Sequence, residues 1–184
     1  MTSGKFKILT LGEPTVGRSA LIRRYIFDTF SYVYEPNVGE VTDSILYERI
    51  LPVNELRVHL EIWDVVAYPR LRDFDISFSY WHGTSGVMLI FDLTNHESFN
   101  ILKEWRMEVE RYCAEDVIKM VIGNKNDKGD AVQISYADAK QFCGEWGMEY
   151  YETSAVTSFN VEEIFASMAT QMLISREKKK KPRK

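Results

Sequence analysis

Eight residues, Gly12-Glu13-Pro14-Thr15-Val16-Gly17-Arg18-Ser19, separate an apolar run at 6–11 from the apolar pair Leu21-Ile22. A strand that passes through a glycine-rich turn directly into a helix calls for an α/β arrangement with the turn outside the carboxyl end of the strand. The spacing G-x-x-x-x-G-[basic]-Ser lets backbone N–H groups and a helix N-terminus surround a polyphosphate, with the serine hydroxyl offered to Mg²⁺. Thr15, Val16, Gly17, Arg18, Ser19 and Ala20 are therefore candidate phosphate-binding residues, and Ser19 is a candidate metal ligand. Where such a loop ordinarily carries lysine this chain has Arg18. Pro14 removes one N–H, but the residues after it keep theirs.

The same junction recurs along the chain. Runs at 87–92 and 119–123 are short, rich in Ile, Val, Leu and Met, and end at Asp92 and Gly123 before polar loops, as buried parallel strands do. Between them lie segments of helical period, through Phe99, Leu102, Trp105, Val109 and Tyr112, then Ala137, Phe142 and Trp146, then Val161, Ile164, Phe165, Met168 and Met172. Ser135 followed by Asp138, and Asn160 followed by Glu163, are expected helix starts. Two extended runs at 41–51 and 56–63 flank Pro52-Val53-Asn54-Glu55 and predict an antiparallel hairpin at one edge of the sheet.

A chain of 184 residues with 45% hydrophobic content can bury one full core, and no apolar stretch reaches the length needed to span a bilayer. The expectation is one cytoplasmic domain over 1–175. Cys113 and Cys143 lack the spacing of a zinc site or a disulfide framework. His59, His82 and His96 lie on separate elements and suggest no metal cluster. The net charge of −4 conceals an asymmetry, because residues 176–184 hold seven basic side chains and one Glu. That tail is expected to be disordered and able to contact an anionic membrane surface or an acidic partner, or equally to serve as a solubilising end. No nucleic-acid partner is expected.

Four more segments come in order: the stretch 30–39 between the first helix and the hairpin, Trp63-Asp64-Val65-Val66-Ala67-Tyr68-Pro69, Asn124-Lys125-Asn126-Asp127 and Thr153-Ser154-Ala155-Val156. With them, and with Tyr80-Trp81-His82-Gly83, Phe91-Asp92-Leu93-Thr94 and Glu97-Ser98-Phe99, the chain resembles a Ras-like small GTPase, and more closely the Rab family, over about residues 5–174. The resemblance implies a three-layer α/β fold, with a mostly parallel six-stranded sheet, one antiparallel edge strand and about five helices. It implies a guanine nucleotide, GTP or GDP, and Mg²⁺ as cofactors. Asp127 would accept both N–H groups of the guanine edge, a paired contact that adenine does not satisfy. Asn124 would fix the loop, Lys125 and Phe30 would cover the base, and Ala155, flanked by Ser154 and Val156, would offer its N–H to the guanine carbonyl. Ser19, Asn37 and Asp64 occupy the metal-ligand positions.

Against this pattern stand several departures. Arg18 is a wide planar fork where the family has a compact ammonium. Asn37 replaces the switch threonine; an amide oxygen is a permissible hard ligand but sits one atom further out than a hydroxyl, where Mg²⁺ demands near-octahedral geometry, so switching of this loop by GTP is expected to be weaker or altered. Ala67 replaces the glycine whose backbone N–H approaches the γ-phosphate, Tyr68 occupies the position of the catalytic glutamine, and Pro69 stiffens the backbone after it. No residue is left as a confident catalyst. The expectation is a Rab-like, GTP-binding regulatory protein of vesicle trafficking with slow or lost hydrolysis, a pseudo-GTPase. It would meet effectors through its switch and hairpin surface, where Phe74, Phe78, Tyr80 and Trp81 read either as core or as platform. A working but divergent GTPase and a nucleotide-free scaffold stay open as alternatives.

Overall fold

The computed structural model of the chain describes residues 2–33, 44–65 and 78–180. Six strands, β1 (Thr2–Leu11), β2 (Ile45–Val53), β3 (Leu56–Asp64), β4 (Thr84–Asp92), β5 (Ile118–Asn124) and β6 (Glu149–Glu152), form one sheet in the order β2-β3-β1-β4-β5-β6. Every neighbouring pair is parallel except β2 with β3. The helices are α1 (Arg18–Phe27), the short α2 (Phe78–Trp81), α3 (His96–Asn100), α4 (Leu102–Tyr112), α5 (Tyr136–Glu145) and α6 (Val161–Lys180). Ile101 keeps helical dihedrals between α3 and α4, so the two act as one interrupted helix and the expected count of about five stands.

The strands alternate their side chains between two cores, which makes the molecule three-layered. Phe6, Ile8, Met88, Ile90, Met120 and Ile122 face α1 and α6, where Tyr25 and Phe165 stack with centroids 3.9 Å apart. Leu9, Leu11, Val87, Leu89, Phe91 and Val121 face α4 and α5. Burial on both faces is why β4 and β5 read as unbroken apolar runs rather than as alternating ones.

Several local expectations are corrected. Pro52 and Val53 belong to β2, paired with Arg57 and Leu56, and the turn is only Asn54-Glu55, with Asn54 in the left-handed region at φ 55°. Proline is tolerated there because β2 is an edge strand with one side free of ladder bonds. Ala137 is exposed; α5 buries Ala139 and Cys143 instead, while Phe142 and Trp146 lie on the flank with centroids 3.9 Å apart. Ser135 caps α5 as expected, accepting from the Asp138 N–H at 3.1 Å. Asn160 precedes α6, but its side-chain amide donates to Glu152 O at 2.8 Å. Trp81 is buried and stacks on Tyr112, which assigns it to the core, whereas Tyr80 meets Trp63 edge to face at 6.0 Å.

Nor does the chain lose its structure at residue 176. α6 continues through Lys180, so residues 176–180 are helical where disorder was expected. Cations at a helix C-terminus are favoured by the peptide dipoles. The Arg176 guanidinium also lies 4.9 Å above the Phe6 ring, and Lys179 pairs with Asp116.

Candidate functional site

The carboxyl ends of β1, β3, β4, β5 and β6 bring the sequence-selected residues to one end of the sheet. The first loop is shaped by its backbone. Gly12 has φ 147°, Thr15 φ 68° and Gly17 φ 95°. A Cβ on Gly12 would collide with Ile90 O, and one on Gly17 with Asn124 Nδ2. These clashes explain why the loop has glycine at both positions. Gly17 caps α1 with no side-chain hydrogen bond, and the first turn contains no acidic residue, so the helix presents its N–H groups and positive dipole end to the space in front of the loop. Such a cradle fits the phosphates of a nucleotide.

Arg18 is accommodated by folding back across the loop. Its side chain is 9% exposed, its Nη1 donates to Gly12 O at 2.5 Å, and its Nε lies 3.9 Å from Asp64 Oδ1. Ser19 Oγ donates to Asp64 Oδ2 at 2.5 Å. Asp64, at the end of β3, is 1% exposed, and its Oδ1 accepts no hydrogen bond among the described residues. A buried carboxylate oxygen without a donor, beside a hydroxyl and facing a phosphate cradle, fits a hard cation such as Mg²⁺.

The second half of the site centres on Asn124. Its Nδ2 donates to Val16 O at 2.9 Å, and its Oδ1 accepts from Thr153 Oγ1 at 3.3 Å, so one buried side chain ties the first loop to the end of β5 and to the segment after β6. Lys125 comes next, in the left-handed region at φ 70°, its ammonium 2.7 Å from Asp92 Oδ2. Asp92 is held in turn by the N–H and hydroxyl of Thr94, at 2.9 and 2.7 Å. Asp127 is exposed and accepts from Ser154 Oγ at 2.6 Å. Ser154 Oγ also accepts from the N–H groups of Val156 and Thr157, at 3.2 and 3.1 Å. Phe30, half-buried at the rim, contacts Tyr32 edge to face at 4.8 Å.

Motifs spaced more than a hundred residues apart thus converge on one cradle. A family model described as "Ras family" matches residues 7–174. The chain belongs to the Ras family. Within it the chain is Rab-like. It is similar to GTP-binding protein ypt1 of Schizosaccharomyces pombe, 36% identical over 167 residues that cover 91% of this chain and 79% of the relative. It is similar also to GTP-binding protein YPT1 of Saccharomyces cerevisiae, 37% identical over 167 residues that cover 91% and 78%. Among the described residues no helix of this Ras-family chain is long and apolar enough to cross a membrane.

Thr15, Val16, Gly17, Arg18, Ser19, Ala20, Asn124, Lys125, Asp127, Ser154, Ala155 and Val156 all lie around the cradle, with Phe30 at its edge and Asp64 at its floor. Asn37, Ala67, Tyr68, Pro69 and Phe74 lie outside the described residues, as does the side chain of Phe78. Sequence reasoning missed the clamp that Asp92 and Thr94 place on Lys125, although the short spacing Asp92-x-Thr94 is the signal of a local side-chain turn. It also missed Arg24. Its Nε donates to Ala155 O at 2.8 Å, a contact across 131 residues of chain that no local pattern announces.

Proposed function

We propose that this Ras-family chain is a guanine-nucleotide-binding regulatory protein of trafficking type, with very slow or absent GTP hydrolysis, that serves as a platform for partner proteins. The observation that carries the reading is the uneven treatment of the two ends of the cradle. The base end keeps Asn124, Lys125 and Asp127 in a tight hydrogen-bonded frame, while the phosphate end has Arg18 turned onto Gly12 O and toward Asp64. The name of both relatives, GTP-binding protein, is in keeping with it.

Asp127, oriented by Ser154, would accept the paired N–H groups of guanine. The loop N–H groups and Arg18 would bind phosphate. Ser19 and Asp64 would hold Mg²⁺, which when bound supplies charge neutralisation to the phosphates. Asn37 stands at the third ligand position and Tyr68 at the water-positioning one. A phenol lacks the paired carbonyl and amide with which a glutamine fixes a water, and phosphoryl transfer in this fold depends almost wholly on positioning. The half-exposed Trp63 and Tyr80, with exposed Leu46 and Ile50 on the hairpin, form the surface offered to partners. The basic end of α6 is the part suited to an anionic membrane.

The test is to release and identify the nucleotide from purified protein and then to follow a single turnover of bound GTP. Bound GDP or GTP with hydrolysis far slower than that of an ordinary Rab is the expected result. Turnover at an ordinary rate would refute the slow-hydrolysis reading. An empty site with no thermal shift on adding GDP or GTP with Mg²⁺ would refute nucleotide binding.

A further inference from the structure

The phosphate-binding helix reaches across to the guanine-reading loop through one side chain. Arg24, toward the C-terminal end of α1, donates from Nε to Ala155 O at 2.8 Å and from Nη2 to Val156 O at 3.3 Å. Its Nη1 donates to Asp28 O at 3.0 Å and to Asp28 Oδ1 at 2.9 Å, which fixes the fork against its own helix end. A planar guanidinium with its donors engaged on both sides has one orientation, so the two loop carbonyls it meets are held in one orientation as well. These are charge-assisted bonds, stronger than neutral ones.

Among the described residues, the stretch Ser154–Thr157 so held has one uncommitted N–H donor. Ser154 N–H donates to Phe159 O at 3.1 Å and Val156 N–H to Ser154 Oγ at 3.2 Å. The Ala155 N–H between them has no hydrogen-bond partner among the described residues, and Ala155 is only 4% exposed. An N–H without an acceptor in a buried residue is retained where a ligand supplies one. We infer that Arg24 is a positioning residue: by holding the Ala155 and Val156 carbonyls from the α1 side it fixes the backbone on the C-terminal side of Ala155, and with Ser154 N–H held on Phe159 O from the other side the intervening Ala155 N–H is presented to the 6-oxygen of guanine. The inference rests on the guanine reading proposed for this site. It adds that discrimination at the 6-position is set from the helix that also carries Arg18 and Ser19, whereas discrimination at the 2-amino group is set by Asp127, which accepts from Ser154 and not from Arg24.

Two analogues separate these contacts. Inosine diphosphate lacks the 2-amino group and reports on Asp127; 6-thioguanosine diphosphate keeps both N–H groups but replaces the 6-oxygen with a poorer acceptor and reports on Ala155. Affinities of GDP and both analogues would be measured by calorimetry for the full chain and for Arg24→Ala, Arg24→Gln and Arg24→Lys, the two longer variants guarding against loss of the fold. For Arg24→Ala and Arg24→Gln, GDP affinity should fall on the order of tenfold, as for loss of a charged hydrogen bond. The preference for GDP over 6-thioguanosine diphosphate should shrink with it, while the preference over inosine diphosphate holds. Arg24→Lys, able to reach one carbonyl, should restore part of the lost preference. An equal fall for all three ligands, or no change, would overturn the role of Arg24. Absence of any preference in the unmodified chain would instead overturn the guanine reading on which it rests.

Discussion

At the scale of single residues, the site is governed by what little room it has. Gly17 sits at φ 95° with Asn124 Nδ2 lying where a Cβ would project. Gly17→Ala should therefore cost about 1–3 kcal/mol through strained backbone and a displaced Asn124, read as a lower urea midpoint at unchanged slope, and should abolish nucleotide-induced stabilisation. Arg18 poses the opposite question, since its fork is spent partly on Gly12 O and lies near Asp64. Arg18→Lys should enlarge the thermal shift produced by GDP with Mg²⁺, because a point charge reaches phosphate without occupying the metal side. An unchanged shift would mean that the arginine already serves phosphate as well as lysine does.

At the scale of elements, α1 is the piece on which both ends of the cradle depend, and α6 holds it through the Tyr25–Phe165 stack. Phe165 is buried in the core between sheet and helices. Phe165→Ala should lower stability by about 3–5 kcal/mol in urea unfolding without nucleotide, with GDP restoring part of the loss by mass action. The elements were legible where their causes are local. Strand-loop-helix junctions at Gly12, Asp92 and Gly123, and the cap at Ser135, come from a few neighbouring residues. Pro52 misled because proline usually ends a strand, and only the position of β2 at the sheet edge makes it tolerable. The basic composition of residues 176–180 suggested disorder, but Asp116 and Phe6, which secure that turn, come from elsewhere in the chain. Arg24 was illegible for the same reason: its acceptors are distant in sequence and are backbone carbonyls, which no residue type announces.

At the scale of the whole molecule, two cores enclose groups that resist ionisation. Burial pushes the Cys143 thiol from its ordinary 9.0 up to about 12, the Cys113 thiol up to about 11 and the Tyr25 hydroxyl up to about 12. The folded chain therefore keeps protons that the unfolded chain releases above pH 9, and stability must fall as pH rises from about 9 toward 12. Urea midpoints measured at intervals of pH should be insensitive to these groups below about 9 and decline above it, and Cys143→Ala should flatten part of that decline. At neutral pH the buried Cys143 thiol should react with a thiol reagent only as fast as the protein opens, and the half-buried Cys113 sooner. α6 gives the molecule its other large-scale property. A helix of 20 residues is about 30 Å long at 1.5 Å per residue. Its far end is not a tether, since Arg176 and Lys179 dock it against the body. The cluster Lys178, Lys179 and Lys180 consequently has a fixed compass bearing relative to the nucleotide cradle, and any negatively charged surface that engages it sets which way the cradle and the hairpin face.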